Sequence, residues 1–251
     1  MHYQMWIWSK FENVIAHFLI AMMEELIILY YVLFYMFLLM YYHYNNIISY
    51  KEVAYMGKIK LLHGSDHIIE KPDLLLGKTN NDYGRGFYCT QELSMAMEWA
   101  CKKNSDGFVN KYVLEQDSLN ILNLLDGKYN ILHWMALLLK NRTFRLSNEI
   151  AIDACDYIIE NFSIDLKAYD VIIGYRADDS YFSFAESFVQ NGLPLRSLNE
   201  ALHLGRLGTQ TVLISEKSFR NLTFDGADFA DKTVYYPKFI ARDSNVRETY
   251  R

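Results

Sequence analysis

Hydrophobic and polar positions divide the chain into two unlike parts, with the change near residue 56. Beyond it, short apolar runs with a period of two predict strands, and apolar residues spaced by three and four predict helices. The pattern therefore predicts an α+β domain over residues 56–251, although it assigns no element after Thr223. The predicted strands are 58–62, 86–90, 108–114, 119–125 (a strand or a short turn), 169–175 and 209–215, and the predicted helices are 91–101, 129–141, 148–161, 180–190 and 195–204.

Residues 1–55 form a hydrophobic N-terminal extension in which a helical segment is expected. Leu26–Tyr42 is an unbroken run of 17 apolar or aromatic residues. As a helix it is roughly 25 Å long, near the lower limit for crossing a bilayer. It begins too late and lacks the basic lead-in of a signal peptide. Lysines after it would place the following domain in the cytoplasm.

Three interpretations of this extension stay open. In the first, it is a single-span membrane anchor at 26–42. In the second, it is an amphipathic or aromatic helical hairpin that packs on the domain or on a partner. In the third, native translation starts at Met56, because residues 1–55 contain no Gly, Pro, Cys, Arg or Asp. An AT-rich stretch outside the gene would encode such a composition.

Composition and charge narrow the classes of function. With 51% hydrophobic and 22% charged residues, the chain has material for a packed core. Its formal net charge of -5 argues against nucleic-acid binding through the overall field. The three cysteines, Cys89, Cys101 and Cys155, fit neither a disulfide framework nor a zinc site. We therefore expect a cytoplasmic protein without a structural metal.

Candidate chemistry is concentrated between Leu61 and Cys101. An apolar run stops at His63-Gly64-Ser65, which we interpret as a strand ending in a turn. Gly84-Arg85-Gly86 then leads into the aromatic strand that carries Tyr88, and Trp99 follows one helix later. Glycines let backbone N–H groups approach a ligand, and an arginine pairs bidentately with phosphate. This arrangement predicts a site for a flat, polar ligand that bears phosphate.

The runs LLHGS and YGRGFYCT, followed by Trp99, resemble the ADP-ribosyltransferase superfamily. They are most similar to its His-Tyr-Glu branch, which includes diphtheria toxin and the poly(ADP-ribose) polymerases. Residues 58–251 also resemble a bacterial family of transferase-like proteins of unknown function. Its members share the IGYRADDSYF-type segment and are often encoded beside a small partner gene, as toxin–antitoxin pairs are. The resemblance implies a split β-sandwich with helical insertions and NAD as the substrate.

The resemblance also implies roles for individual residues. His63 would hold the adenine-side ribose, the Gly64 backbone would bind the nicotinamide amide, and Ser65 completes the motif. Tyr88 and Trp99 would sandwich the nicotinamide ring, although the family usually has tyrosine at the second position. Arg85 is a candidate for the pyrophosphate.

The expected catalytic carboxylate is missing. The family has a glutamate on a late strand where this chain has Gln210, which keeps hydrogen bonding but lacks the charge. Glu216 lies roughly 20 Å further along that strand and cannot replace it. Arg176 and Asp178 follow a predicted strand. Either Asp178 or Asp179 caps the next helix while Arg176 makes a surface ion pair, or an acid there replaces the glutamate and Arg176 holds a phosphate.

Three functions follow from these readings. The first is transfer of ADP-ribose from NAD to a macromolecular acceptor, protein or nucleic acid, by a bacterial toxin or effector with a small antitoxin partner. The second is a catalytically inert module of the same fold that binds NAD or a partner, which Gln210 favours. The third is a membrane-tethered interaction protein anchored by Leu26–Tyr42, with its domain in the cytoplasm.

Overall fold

The computed structural model describes residues 34–36, 57–177, 179–204 and 209–249. The chain divides into two units, Met1–Met56 and Gly57–Arg251. In the first, only the helical, exposed residues 34–36 are described, so most of the proposed span 26–42 lies outside the described residues. Within the described ranges, no helix combines the length and hydrophobicity that crossing a bilayer requires.

The second unit is an α+β domain, as the hydrophobic pattern predicts. Its strands are β1 (Lys58–Ser65), β2 (Phe87–Cys89), β3 (Gly107–Glu115), β4 (Ile121–Asn123), β5 (Val171–Tyr175), β6 (Thr209–Leu213) and β7 (Leu222–Ala230). Its helices are α1 (Leu93–Ala100), α2 (Ile131–Asn141), α3 (Glu149–Phe162), α4 (Asp179–Val189), α5 (Leu195–Leu204), α6 (Glu216–Arg220) and α7 (Lys232–Thr249). Short 3₁₀ turns lie at Leu74–Leu76 and Leu166–Ala168.

The strands form two sheets. The first has the order β1-β3-β7 and is antiparallel throughout. The second has the order β2-β6-β5-β4, in which only the described pair β4-β5 is parallel. Leu62 and Thr90 connect the sheets, because each donates its N–H to the carbonyl of the other at 2.8 and 2.9 Å.

Alternation along the strands of the second sheet gives it two buried faces. Val171 and Leu213 belong to a core cluster that they share with residues of the first sheet, such as Tyr112. Their neighbours Ile172 and Val212 point to the opposite face, where they pack in a cluster with residues of α2, α3 and α4. Because successive side chains of a strand point to opposite faces, one strand can serve both cores. Trp134 and Met135 of α2 are in the second cluster, as expected for core residues.

Helix α1 packs directly on β1. A Cβ atom on Gly64 would lie 2.2 Å from the carbonyl oxygen of Ala96 and 2.6 Å from the nitrogen of Ala100. Only glycine therefore lets the helix backbone come this close to the strand. Helix α7 also contacts α1, and its Tyr235 packs against the cluster that contains Ala96 and Ala100. The C-terminal helix thus holds in place the helix that carries Trp99.

One predicted boundary is wrong, and the region that the pattern left unassigned contains regular structure. His63-Gly64-Ser65 is the end of β1 and does not form a turn, since these residues pair with Asn110, Val109 and Phe108 of β3. The chain after Thr223 completes β7 and then forms α7. Helix α7 contains Pro237 and shows little segregation of apolar from polar residues. For that reason periodicity does not reveal it.

Candidate functional site

A cavity of about 690 Å³ lies where the ends of β1, β2, β5 and β6 meet α1. This volume is within the range of about 300–1,000 Å³ that small-molecule sites occupy. The cavity is lined by five of the residues that the sequence predicts for the site, together with other polar and aromatic side chains. The five are His63, Tyr88, Trp99, Arg176 and Gln210.

His63 is held in one tautomer. Its Nδ1 lies 2.7 Å from the carbonyl oxygen of Tyr88, which can only accept, so Nδ1–H is the donor. The ring stacks on Phe87 with centroids 4.3 Å apart. Burial lowers the pKa of His63, although the bond to Tyr88 partly opposes this. The ring is therefore neutral near pH 7, with the lone pair on Nε2 left as a hydrogen-bond acceptor.

Tyr88 organises the loop that precedes its own strand. Its hydroxyl donates to the carbonyl oxygen of Gly84 at 2.7 Å and accepts from the N–H of Tyr83 at 3.0 Å. Gly84 has a φ of +76°, a conformation that glycine adopts without strain. The loop therefore turns back over the Tyr88 ring. This brings Asp82, the residue before Tyr83, into the lining of the cavity.

Trp99 and Arg176 contact each other beside this loop. The Arg176 guanidinium lies over the Trp99 ring, 4.5 Å from its centroid, which is cation–π geometry. Arg176 is only 9% exposed. Arg176 is therefore not at the surface, where one of the two interpretations placed it, but lines the cavity just after β5. The indole Nε1 of Trp99 is buried, and the described part of the chain provides no hydrogen-bond acceptor for it.

Asp82 is a buried carboxylate in the cavity wall, with 6% of its surface exposed. Oδ1 pairs with the guanidinium of Arg142 at 3.0 Å. Oδ2 accepts from the backbone N–H of Ala177 at 2.9 Å and from Nε2 of Gln210 at 3.1 Å. Burial raises the pKa of Asp82, and the three donors together with the charge of Arg176 oppose that rise. Asp82 thus places a carboxylate beside Gln210.

Gln210 is buried at 3% exposure, and its amide orientation is determined by its neighbours. Nε2 donates to Asp82 Oδ2 and, at 3.2 Å, to the carbonyl oxygen of Tyr175. Both partners only accept, so the reversed amide would place oxygen against oxygen. The Tyr175 carbonyl also accepts from Tyr83 Oη at 2.6 Å and from Trp134 Nε1 at 3.1 Å. Gln210 is therefore anchored to the rigid end of β5.

Other nominated residues lie elsewhere. Gly64, Ser65 and Arg85 do not occur among the described residues that line the cavity. The Ser65 hydroxyl bonds to His67 and accepts from Asn110 Nδ2 at 3.2 Å, which closes the end of β1. Arg85 is exposed on its turn, and Asp178 lies outside the described residues. Glu216 does not continue the Gln210 strand as expected, because β6 ends at Leu213; it begins α6, pairs with Arg220 at 3.5 Å and is not among the described lining residues.

Sequence reasoning missed three residues of this region, and the pattern offers little signal for any of them. Asp82 stands in a loop rich in Asn and Gly, where an aspartate usually indicates a turn. Arg142 directly follows helix α2, where a basic residue complements the helix dipole. Asn110 lies within β3, and its buried amide accepts from the Ile69 N–H at 2.8 Å. Its burial becomes visible only when β1 and β3 are paired.

Charge in the cavity differs from that of the whole chain. Its lining includes four basic side chains, Lys71, Lys78, Arg142 and Arg176, and three acidic ones, Asp73, Asp82 and Glu98. Of the acids, Asp82 is paired with Arg142, and Glu98 lies 2.8 Å from Arg242 of α7. Lys71 and Lys78 are exposed at the rim. Asp73 is the third acid and is also exposed there, so the exposed part of the lining carries two positive charges against one negative, an excess that favours an anionic ligand.

Fold and cavity together define an α+β protein with a ligand-sized, partly cationic site. The chain belongs to the family described as "Protein of unknown function (DUF3990)", whose model matches residues 59–224. The matched range contains all five nominated residues of the cavity and ends within β7, so α7 lies beyond it. Comparison with curated proteins and with solved structures finds no significant match to either.

Proposed function

We propose that the protein transfers ADP-ribose from NAD to a macromolecular acceptor. The observation that carries this proposal is the convergence of His63, Tyr88, Trp99 and Gln210 on one cavity. These residues are separated by up to 147 positions in sequence, from 63 to 210. They are the side chains to which the resemblance assigns the NAD site.

The architecture supports the same proposal. A split β-sandwich of the ADP-ribosyltransferase type needs two sheets that share a core, and here sheets of three and four strands do so. The neutral His63 ring offers Nε2 to a ribose hydroxyl. Tyr88 and Trp99 provide aromatic surface for a flat ring such as nicotinamide. Lys71 and Lys78, in place of Arg85, are the candidates for the pyrophosphate.

The chemistry would require stabilisation of positive charge on the ribose. Cleavage of the nicotinamide–ribose bond passes through an oxocarbenium-like state, as glycoside hydrolysis does. A hydrogen-bond acceptor on a ribose hydroxyl stabilises that state, and we assign this role to Gln210, which lines the cavity. We further propose, from the resemblance, that the protein is a bacterial toxin or effector that acts in the cytoplasm and has a small antitoxin partner.

A direct test titrates NAD into the purified full-length chain and follows both binding and nicotinamide release. Trp99→Ala removes aromatic surface from the cavity and should weaken binding by about tenfold or more, since aromatic stacking and burial are lost. Tyr157→Ala is the matched control, because Tyr157 is 61% exposed on α3 and does not line the cavity. Absence of NAD binding by the wild type would overturn the proposal.

A second function has one observation in its favour. Gln210 replaces an ionised acceptor by a neutral one, and hydrogen bonds to neutral groups are worth less by about 1–2 kcal/mol. An inert module would therefore bind NAD and release no nicotinamide over hours. Incubation of a lysate with NAD labelled in the adenosine part separates the two: label on any macromolecule supports transfer, while binding without label supports the inert module.

A further inference from the structure

The Gln210 amide has all its donor capacity occupied and its acceptor unused. Both hydrogens on Nε2 have partners, Asp82 Oδ2 and the Tyr175 carbonyl. Within the described part of the chain, no donor bonds to Oε1. Because Gln210 lines the cavity, Oε1 is the atom it can offer to a ligand. Gln210 therefore presents an acceptor only, as a carboxylate does.

Asp82 adds charge to that acceptor. Its carboxylate bonds to the Nε2 side of the amide, and hydrogen bonds in series polarise one another. Negative charge at Nε2–H shifts electron density toward Oε1. Since the pair is buried, this polarisation is screened less than it would be in water.

We propose that Asp82 and Gln210 act as one unit that takes the place of a single carboxylate. Gln210 Oε1 accepts a hydrogen bond from a hydroxyl of a sugar ligand, and Asp82 is the positioning residue that holds the Gln210 amide. The chemical consequence rests on the proposed function, in which that hydroxyl belongs to the ribose of NAD. The pairing itself rests on the contacts of Asp82, Gln210 and Tyr175 alone.

If Asp82 and Gln210 act as one unit, the Gln210→Glu variant should lose stability and NAD affinity, although it restores a carboxylate at position 210. A glutamate there would set carboxylate oxygen against Asp82 Oδ2 and against the Tyr175 carbonyl, where two N–H groups now donate. We expect Gln210→Glu to unfold at lower denaturant concentration than the wild type and to bind NAD at least about tenfold more weakly. If Gln210 were merely a weakened glutamate, this variant would gain activity and keep its stability. That gain would overturn the proposal.

An NMR experiment tests the pairing of Asp82 with Gln210 in the absence of NAD. In the full-length chain with ¹⁵N-labelled glutamine side chains, the Gln210 amide signals are assigned by their loss in Gln210→Ala. The chemical shifts of these signals should change as pH falls and Asp82 takes up a proton. This change should be absent in Asp82→Asn. Within the described ranges, the charged or titratable groups that interact with Asp82 are Arg142, Arg176, Tyr83 and Tyr88. Burial raises the pKa of Tyr83 and of Tyr88, so neither tyrosine titrates between pH 8 and acid.

The outcomes separate the two proposals. If the chemical shifts of the Gln210 amide do not change with pH, or change equally in Asp82→Asn, the pairing of Asp82 with Gln210 is overturned, whether or not NAD binds. Titrating signals with no NAD binding leave the pairing standing and overturn the proposed function. Where NAD binds, Asp82→Asn should weaken it by about tenfold while Asp228→Asn does not, since Asp228 lies on β7 outside the cavity and pairs with Lys111. Equal affinity in both variants would also contradict the proposal.

Discussion

The Arg242 guanidinium lies 2.8 Å from the Glu98 carboxylate and joins α7 to α1 beside the cavity. The two side chains retain only 20% and 10% of their exposure. Glu98 lines the cavity next to Trp99, and Phe239 of α7 also reaches the lining. The C-terminal helix therefore forms part of the cavity wall, although the family match ends before it.

Arg242→Met should lower the free energy of unfolding by about 3 kcal/mol, because it leaves the Glu98 carboxylate buried without this partner. Urea unfolding of the full-length chain measures this loss. Arg196→Met is the matched control, since Arg196 pairs with Glu200 at 2.7 Å but is 89% exposed. Its loss should stay within about 0.5 kcal/mol. Similar losses in the two variants would show that the Glu98–Arg242 pair contributes no more than a surface pair.

Gly64→Ala should destabilise the domain by about 3 kcal/mol or prevent its folding. The added methyl would approach two backbone atoms of α1 within 2.6 Å, and a backbone cannot move aside cheaply. Gly127→Ala provides the comparison: it has no atom within 4 Å but a φ of +82°, so only strain of about 1 kcal/mol is expected. Denaturant unfolding distinguishes them. Equal losses would mean that α1 does not depend on the missing Cβ.

Much of this fold is predictable because one periodicity dominates each element. Val171 to Ile173 is a continuous β-branched run, as expected for a strand buried on both faces, and Trp134 lies in an apolar helix. Elements without such a pattern are missed. Helix α7 is the main case, because its burial depends on partners such as Glu98 that are distant in sequence.

The candidate site is predictable only in part, for a related reason. His63, Tyr88 and Trp99 are predicted from their resemblance to a known motif, and all three line one cavity. Asp82 and Arg176 carry charges that sequence patterns assign to turns and surfaces. Burial of the Asp82 carboxylate depends on Arg142 and on the Ala177 N–H, which are 60 and 95 positions away in sequence. No local pattern encodes such a contact.

Tyr88→Phe should separate the two contributions of Tyr88. The ring remains, but its hydroxyl no longer bonds to Tyr83 and Gly84, so the free energy of unfolding should fall by about 1–3 kcal/mol. Binding of NAD should fall less in Tyr88→Phe than in Tyr88→Ala, which also loses the aromatic surface. Calorimetric titration of both variants measures this difference. If Tyr88→Phe binds as poorly as Tyr88→Ala, loop order matters more than the ring.

His63 makes stability depend on pH in a defined direction. Burial lowers its folded-state pKa below its ordinary value of 6.5. The unfolded chain therefore takes up the proton first, so the contribution of His63 is complete above about pH 6.5 and is lost as pH falls through the folded pKa. His63→Gln should lose less stability between pH 7 and 5 than the wild type does. Denaturant unfolding across this range measures the slope of stability against pH in each protein.

Protonation of His63 also converts Nε2 from a hydrogen-bond acceptor to a donor, so NAD affinity should decline over the same pH range. A steeper slope in His63→Gln would show that the histidine is charged in the folded protein, and the assignment of Nε2 as a ribose acceptor would then be wrong.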